Sequence, residues 1–156
     1  MDTAAATAPR TAEALIAAYP FPCAPFLIIS PEGKYDPGMA DVTILHNTAC
    51  STSKHALAEA EESGTVADVV QYLKTPLGRN ALLDLMGKLE DPPADLVRKD
   101  PFFAQLGLDA ADYVTPEAVA DLLVEHPRLM QRPVLIKGER AIIGRPKDRI
   151  RPFLDS

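Results

Sequence analysis

A chain of 156 residues with 47% hydrophobic content has the material for one packed domain, which excludes wholesale disorder. Its formal net charge of −6 argues against a nucleic-acid surface or a polybasic membrane binder. No apolar run approaches the roughly 18 residues of a membrane span, and two cysteines without regular spacing make neither a disulfide framework nor a metal site.

The start of the chain stands apart. Residues 1–40 are rich in Ala and Thr and hold six of the fifteen prolines. Within them "TAEALIAAY" suits two helical turns and "FLIIS" suits a strand or an apolar strap, so an extension partly docked on a domain of residues 41–156 is expected. The absence of a basic residue before Arg10 and of a compact apolar stretch argues against a secretory signal, and a reducing cytoplasm is the expected setting.

From Asp41 the punctuation becomes orderly. "DVTIL" is β-branched and short enough for a buried strand, and a helix is expected from Cys50 to about Ser63, stopped by Gly64. "VADVVQYL" reads as a second strand. "TPLGRNALLDLMGKL" spaces Leu82, Leu85, Met86 and Leu89 at helical intervals, with Pro76 near its start. "PPADLVRK" begins a short helix, and "TPEAVADLLVEH" has Thr115 to cap a helix, Pro116 at its first position and Pro127 to end it. Two β-rich runs, Val134 to Lys137 and Arg140 to Ile143, flank Gly138-Glu139, a glycine-first hairpin loop. A βαβ unit, a helical insertion and a C-terminal β-hairpin make an α/β fold: a thioredoxin-like four-stranded mixed sheet.

The chemistry concentrates at "HNTACSTSK". Cys50 stands where a strand hands over to a helix, followed by Ser51, Thr52 and Ser53 rather than by aliphatic residues. The unpaired N–H groups and positive dipole of a helix start stabilise a thiolate and offer an anion site beside it. Lowering the thiol pKa by about 2 units takes only about 2.7 kcal/mol of differential stabilisation. Thr52 and Ser53 add hydroxyl donors, and Asn47 suits loop-bracing side-chain bonds. His46 either donates to the thiolate or steadies the loop; His55 and His126 fit surface or packing positions. In the hairpin, the two-residue loop sets Arg132 opposite Arg145, where like charges are unfavourable unless they share an anion, fan into solvent or meet carboxylates.

These residues resemble the glutaredoxin-coupled arsenate reductases. That family has an "HNPxCxxSR"-like loop, an "LLRK" element in the helical insertion and an "xRPIxV…RP" hairpin; here they read "HNTACSTSK", "LVRK" (Leu96 to Lys99), "RPVLI" and "GRP". The likeness covers roughly residues 41–154 in order and spacing. It implies a nucleophilic Cys50, an oxyanion pocket built by Arg98, Arg132 and Arg145, and a cis peptide at Pro133 facing the cysteine. It also implies reduction of arsenate to arsenite through a Cys50 thiol–arsenate adduct, with glutathione as co-substrate, glutaredoxin as partner and no bound cofactor. Thr48 and Lys54 depart from the family pattern without removing a catalytic atom, and the extension with Cys23 lies outside it. The rival readings are a regulatory protein of the same fold, disfavoured by Ser53 where such proteins carry a second cysteine, and a monothiol reductase of another substrate.

Overall fold

The computed structural model describes residues 40–156; the expected extension, Cys23, "TAEALIAAY" and "FLIIS" lie outside the described residues. Four short strands form one sheet in the order β2-β1-β3-β4, with β1 at Val42–Leu45, β2 at Ala67–Val70, β3 at Val134–Lys137 and β4 at Arg140–Ile143. β1 and β2 run parallel, and β3 is antiparallel to both β1 and β4. The sheet is the mixed four-stranded one expected from the sequence.

Alternation along the strands assigns the two faces. Val42, Ile44, Leu135 and Ile142 join one core with Ala56 and Ala60 of helix α1 (Ser51–Ser63) and Phe153 and Leu154 of helix α5 (Ile150–Asp155). Leu45, Val70, Val134, Ala141 and Ile143 join the other, larger core. It includes Leu82, Leu85 and Met86 of α2 (Arg79–Lys88), Phe103 of α3 (Pro101–Gln105) and Val119, Leu122 and Leu123 of α4 (Pro116–Glu125). Helices thus cover both sides of the sheet, which is why β1 and β3 can be apolar at nearly every position.

The helix signals act where the sequence places them. Gly64 ends α1 at φ +71, and its N–H reaches back to Glu61. The Thr115 hydroxyl accepts from the Ala118 N–H at 3.3 Å to cap α4. Pro76 falls outside α2, which starts three residues later with Gly78 as its cap, and "PADL" forms a single 3-10 turn rather than an α-helix. β2 stops at Val70, short of the apolar run that suggested it. Helix α3 has no counterpart among the expected elements; Asp100 caps it by accepting from the N–H groups of Phe102 and Phe103. Among the described residues, no helix is long and apolar enough to cross a membrane.

The sheet end that carries the C-terminus of β1 matters most. There the Cys50 loop leaves β1, the segment Gln131 to Pro133 enters β3, and Gly144 to Pro146 leaves β4. Gly144 donates from its N–H to the Pro133 carbonyl at 2.8 Å, which continues the hairpin register one step past the strands. A Cβ at Gly144 would lie 2.8 Å from Pro133 Cγ, so only glycine permits this approach.

Candidate active site

Cys50 is the N-cap residue of α1, with extended backbone (φ −103, ψ 121), and its carbonyl accepts the first helical bond from the Lys54 N–H. Asn47 builds the loop in front of it. Its side-chain oxygen accepts from the Ala49 N–H at 2.9 Å, and its carbonyl accepts from the Cys50 N–H at 3.0 Å. This is the bracing role expected of asparagine at that position.

Cys50 is 8% exposed. Burial pushes its pKa up, but the Ser53 N–H and hydroxyl, the Thr52 N–H and the Arg132 guanidinium outweigh it and bring the thiol down to about 7. Cys50 makes no formal capping bond to the helix, so the helix start acts on the sulfur as a set of oriented dipoles. Near neutral pH about half of the sulfur is therefore thiolate.

Two arginines meet at this sulfur. Arg145 Nη2 lies 3.7 Å from Cys50 Sγ, and its Nε donates to the Arg132 carbonyl at 3.0 Å. Arg132 faces the sulfur from the other side of the hairpin; burial works against its charge, and Tyr72 and the Cys50 sulfur more than restore it. Neither arginine has a carboxylate partner among the described residues. Both Arg132–Pro133 and Arg145–Pro146 are cis, the first as the resemblance implies.

Arg98 sits one ladder away. Its N–H donates to the Leu129 carbonyl at 2.7 Å beside the Val97–Met130 bridge, which ties the helical insertion to the segment leading into Arg132. Its guanidinium pairs with Asp100 at 3.4 Å instead of contacting the sulfur. His46 is buried and its pKa is lowered by that burial, partly opposed by the Ser53 backbone, so it is neutral at pH 7; it is not among the groups acting on Cys50. His55 pairs with Glu59 at 3.6 Å, and His126 packs edge-on against Phe102.

Three further residues shape the site without a signal in the sequence. Asp91 accepts from the Ile143 N–H at 2.9 Å and from Arg149 Nη1 at 2.7 Å, and Arg149 in turn donates to the Ile143 and Arg145 carbonyls at 3.3 Å. That brace holds the turn presenting Arg145. Beside it opens a cleft of about 320 Å³, lined by Arg145 with Asp95, Lys99, Gln131 and Arg149. The third residue is Tyr72, just past β2 and 1% exposed.

Buried polar atoms mark the same place. Among the described residues, His46 Nδ1, Ser53 Oγ, Tyr72 OH and Arg132 Nε are buried without a hydrogen-bond partner. Ser53 and Arg132 act on the sulfur, Tyr72 acts on Arg132, and His46 adjoins Ser53. Such a concentration is expected where a polar ligand completes the bonding.

The chain that builds this site matches a known family. A family model described as ArsC family covers residues 45–153. The chain belongs to the ArsC family. The arsenate reductase of Neisseria meningitidis serogroup A is 36% identical over 118 residues, 74% of this chain and 100% of the relative. That of Escherichia coli K12 is 33% identical over 74% of this chain and 82% of its own. Among solved structures, the arsenate reductase from Vibrio cholerae superposes with a TM-score of 0.63 at 30% identity, covering 71% of this chain and 95% of the other. The family membership and the thioredoxin-like sheet expected from the loop, insertion and hairpin motifs are both borne out by these matches.

Proposed function

We propose that this ArsC-family chain reduces arsenate to arsenite, with Cys50 as the nucleophile. The observation that carries the reading is the Cys50 sulfur, lowered to a pKa of about 7 and flanked by Arg145 at 3.7 Å and by Arg132. A half-ionised thiol is a competent nucleophile at neutral pH. Guanidiniums suit tetrahedral oxyanions because their fork donates two parallel bonds. The matched relatives named as arsenate reductases support arsenate as the anion.

The thiolate attacks arsenic, a sulfur–arsenic bond forms, and one arsenate oxygen leaves as water after taking up protons. Arg132 and Arg145 hold the remaining oxygens and balance their charge, while Arg98 stays paired with Asp100 at the edge of the insertion. Arsenic is still As(V) at this point. Ser53, three residues beyond Cys50, provides no second thiol in the loop, so the two electrons come from outside. Glutathione adds to arsenic and displaces a second oxygen as water. The glutaredoxin thiol then attacks the glutathione sulfur, forming a mixed disulfide and leaving an electron pair on arsenic. Water releases arsenite from Cys50 and returns the thiol. No bound metal or organic cofactor enters these steps, and a reducing cytoplasm supplies both thiols.

The test is a coupled assay with glutathione, glutaredoxin, glutathione reductase and NADPH. Arsenate-dependent NADPH oxidation is expected; a rate no higher than without arsenate overturns the reading.

A further inference from the structure

We propose that Tyr72 belongs to the anion site: its hydroxyl oxygen accepts from the Arg132 guanidinium, and its proton is donated to an oxygen of the bound oxyanion. The inference rests on the reading of Arg132 as an anion ligand and adds to it a neutral donor from just past β2.

Register brings the two residues together. Leu45 pairs with Val70 on one side and with Val134 on the other, and the His46 N–H donates to the Val70 carbonyl at 2.8 Å. Tyr72 lies two residues beyond Val70, and Arg132 two residues before Val134. Val70, Tyr72 and Val134 all belong to the same core, on the face covered by α2 and α4. Tyr72 and Arg132 therefore flank the end of β1 where the Cys50 loop departs.

The hydroxyl lies beside the Arg132 guanidinium without forming a well-aligned hydrogen bond to it or to any other described group. Tyr72 is 1% exposed, yet its OH has no hydrogen-bond partner, and neither does Arg132 Nε. A guanidinium has only donors, whereas a phenol both accepts and donates. Turned toward each other, they use the phenol's oxygen and leave its proton in need of an acceptor. A void of about 10 Å³ beside Tyr72 does not supply one: its other walls are Leu77, Leu82, Leu123, Pro127 and Met130, and a buried water needs two to four polar partners. Packing alone is served equally by phenylalanine. A buried tyrosine hydroxyl facing an arginine at the reactive thiol makes sense when an acceptor arrives from solvent.

Tyr72→Phe removes the hydroxyl and keeps the ring. Thermal shifts with sulfate and with arsenate, and steady-state kinetics, should be measured on this variant and on the parent. The melting temperature without anion should stay the same or rise slightly, since a buried unpaired group has been deleted. The affinity for both anions should fall about tenfold, and KM for arsenate should rise by a similar factor with kcat changing less, as for one hydrogen bond to a charged group. If the parent responds to anions and Tyr72→Phe responds equally, or if the anion-free variant melts several degrees lower, Tyr72 is structural and the proposal is overturned. If the parent itself shows no anion response, the arginine site fails, and the role of Tyr72 falls with it.

Discussion

One hairpin holds two pairs of opposed cations, and they have been given opposite surroundings. At the turn end Lys137 stands across from Arg140, beside Gly138 at φ +59. Lys137 Nζ donates to the carbonyls of Leu154 at 2.7 Å and Ser156 at 2.6 Å, while Arg140 pairs with Glu90 at 2.6 Å and lies over the Phe153 ring. At the open end Arg132 and Arg145 have no carboxylate among the described residues, and both face Cys50. Opposed like charges are therefore not themselves the sign of an anion site. What distinguishes the functional pair is that the fold neutralises one end internally and leaves the other to a thiolate and a ligand.

The largest expected effect is at the sulfur between the open-end arginines. Cys50→Ser should reduce arsenate-dependent turnover to background while keeping the melting temperature within a few degrees; appreciable turnover would remove Cys50 from the chemistry. Next come the arginines themselves. Arg132→Ala or Arg145→Ala should lower kcat/KM by about 10²–10³, the scale for losing a charge-stabilising donor. Without anion these variants should melt within a few degrees of the parent, because Arg132 is only half-buried, Arg145 is exposed and neither has an acid partner to lose. At the turn end the pattern should invert. Arg140→Ala should leave turnover unchanged and lose about 0.2–1 kcal/mol of stability, as an exposed ion pair does. If both ends behave alike in kinetics and in melting, the contrast is void.

A pH series sharpens the same comparison. The folded thiol titrates near 7 and an unfolded one near 8.5. A depressed acid contributes stability that is fully present above the unfolded pKa and is lost as pH falls through the folded one. The stability of the parent relative to Cys50→Ser should therefore rise by about 2 kcal/mol between pH 6 and pH 9, measured by denaturant unfolding. A flat difference would mean that the arginines and helix start do not favour the thiolate. The smallest effect is expected at Arg98, whose guanidinium already has Asp100. Arg98→Ala should weaken the rise in melting temperature with sulfate or arsenate, by less than Arg132→Ala does.

Much of this was legible in local sequence. Hairpin register follows from loop length, so the sequence alone pairs Val134 to Lys137 with Arg140 to Ile143 residue by residue and sets Arg132 against Arg145. Cys50 as a helix cap and Gly64 as a helix stop are likewise one-segment statements, decided by backbone groups within a few residues. Helix α3 was not legible, because five residues carry too little periodicity to register. What only the tertiary structure decided is which charges are already satisfied. That Arg140 meets Glu90, that Asp91 and Arg149 brace the Arg145 turn, and that Tyr72 is buried against Arg132 are contacts between segments 50 or more residues apart. No local pattern encodes them, since the strength of a charge or a hydroxyl depends on what the whole fold brings within a few ångströms of it and on how much water it excludes.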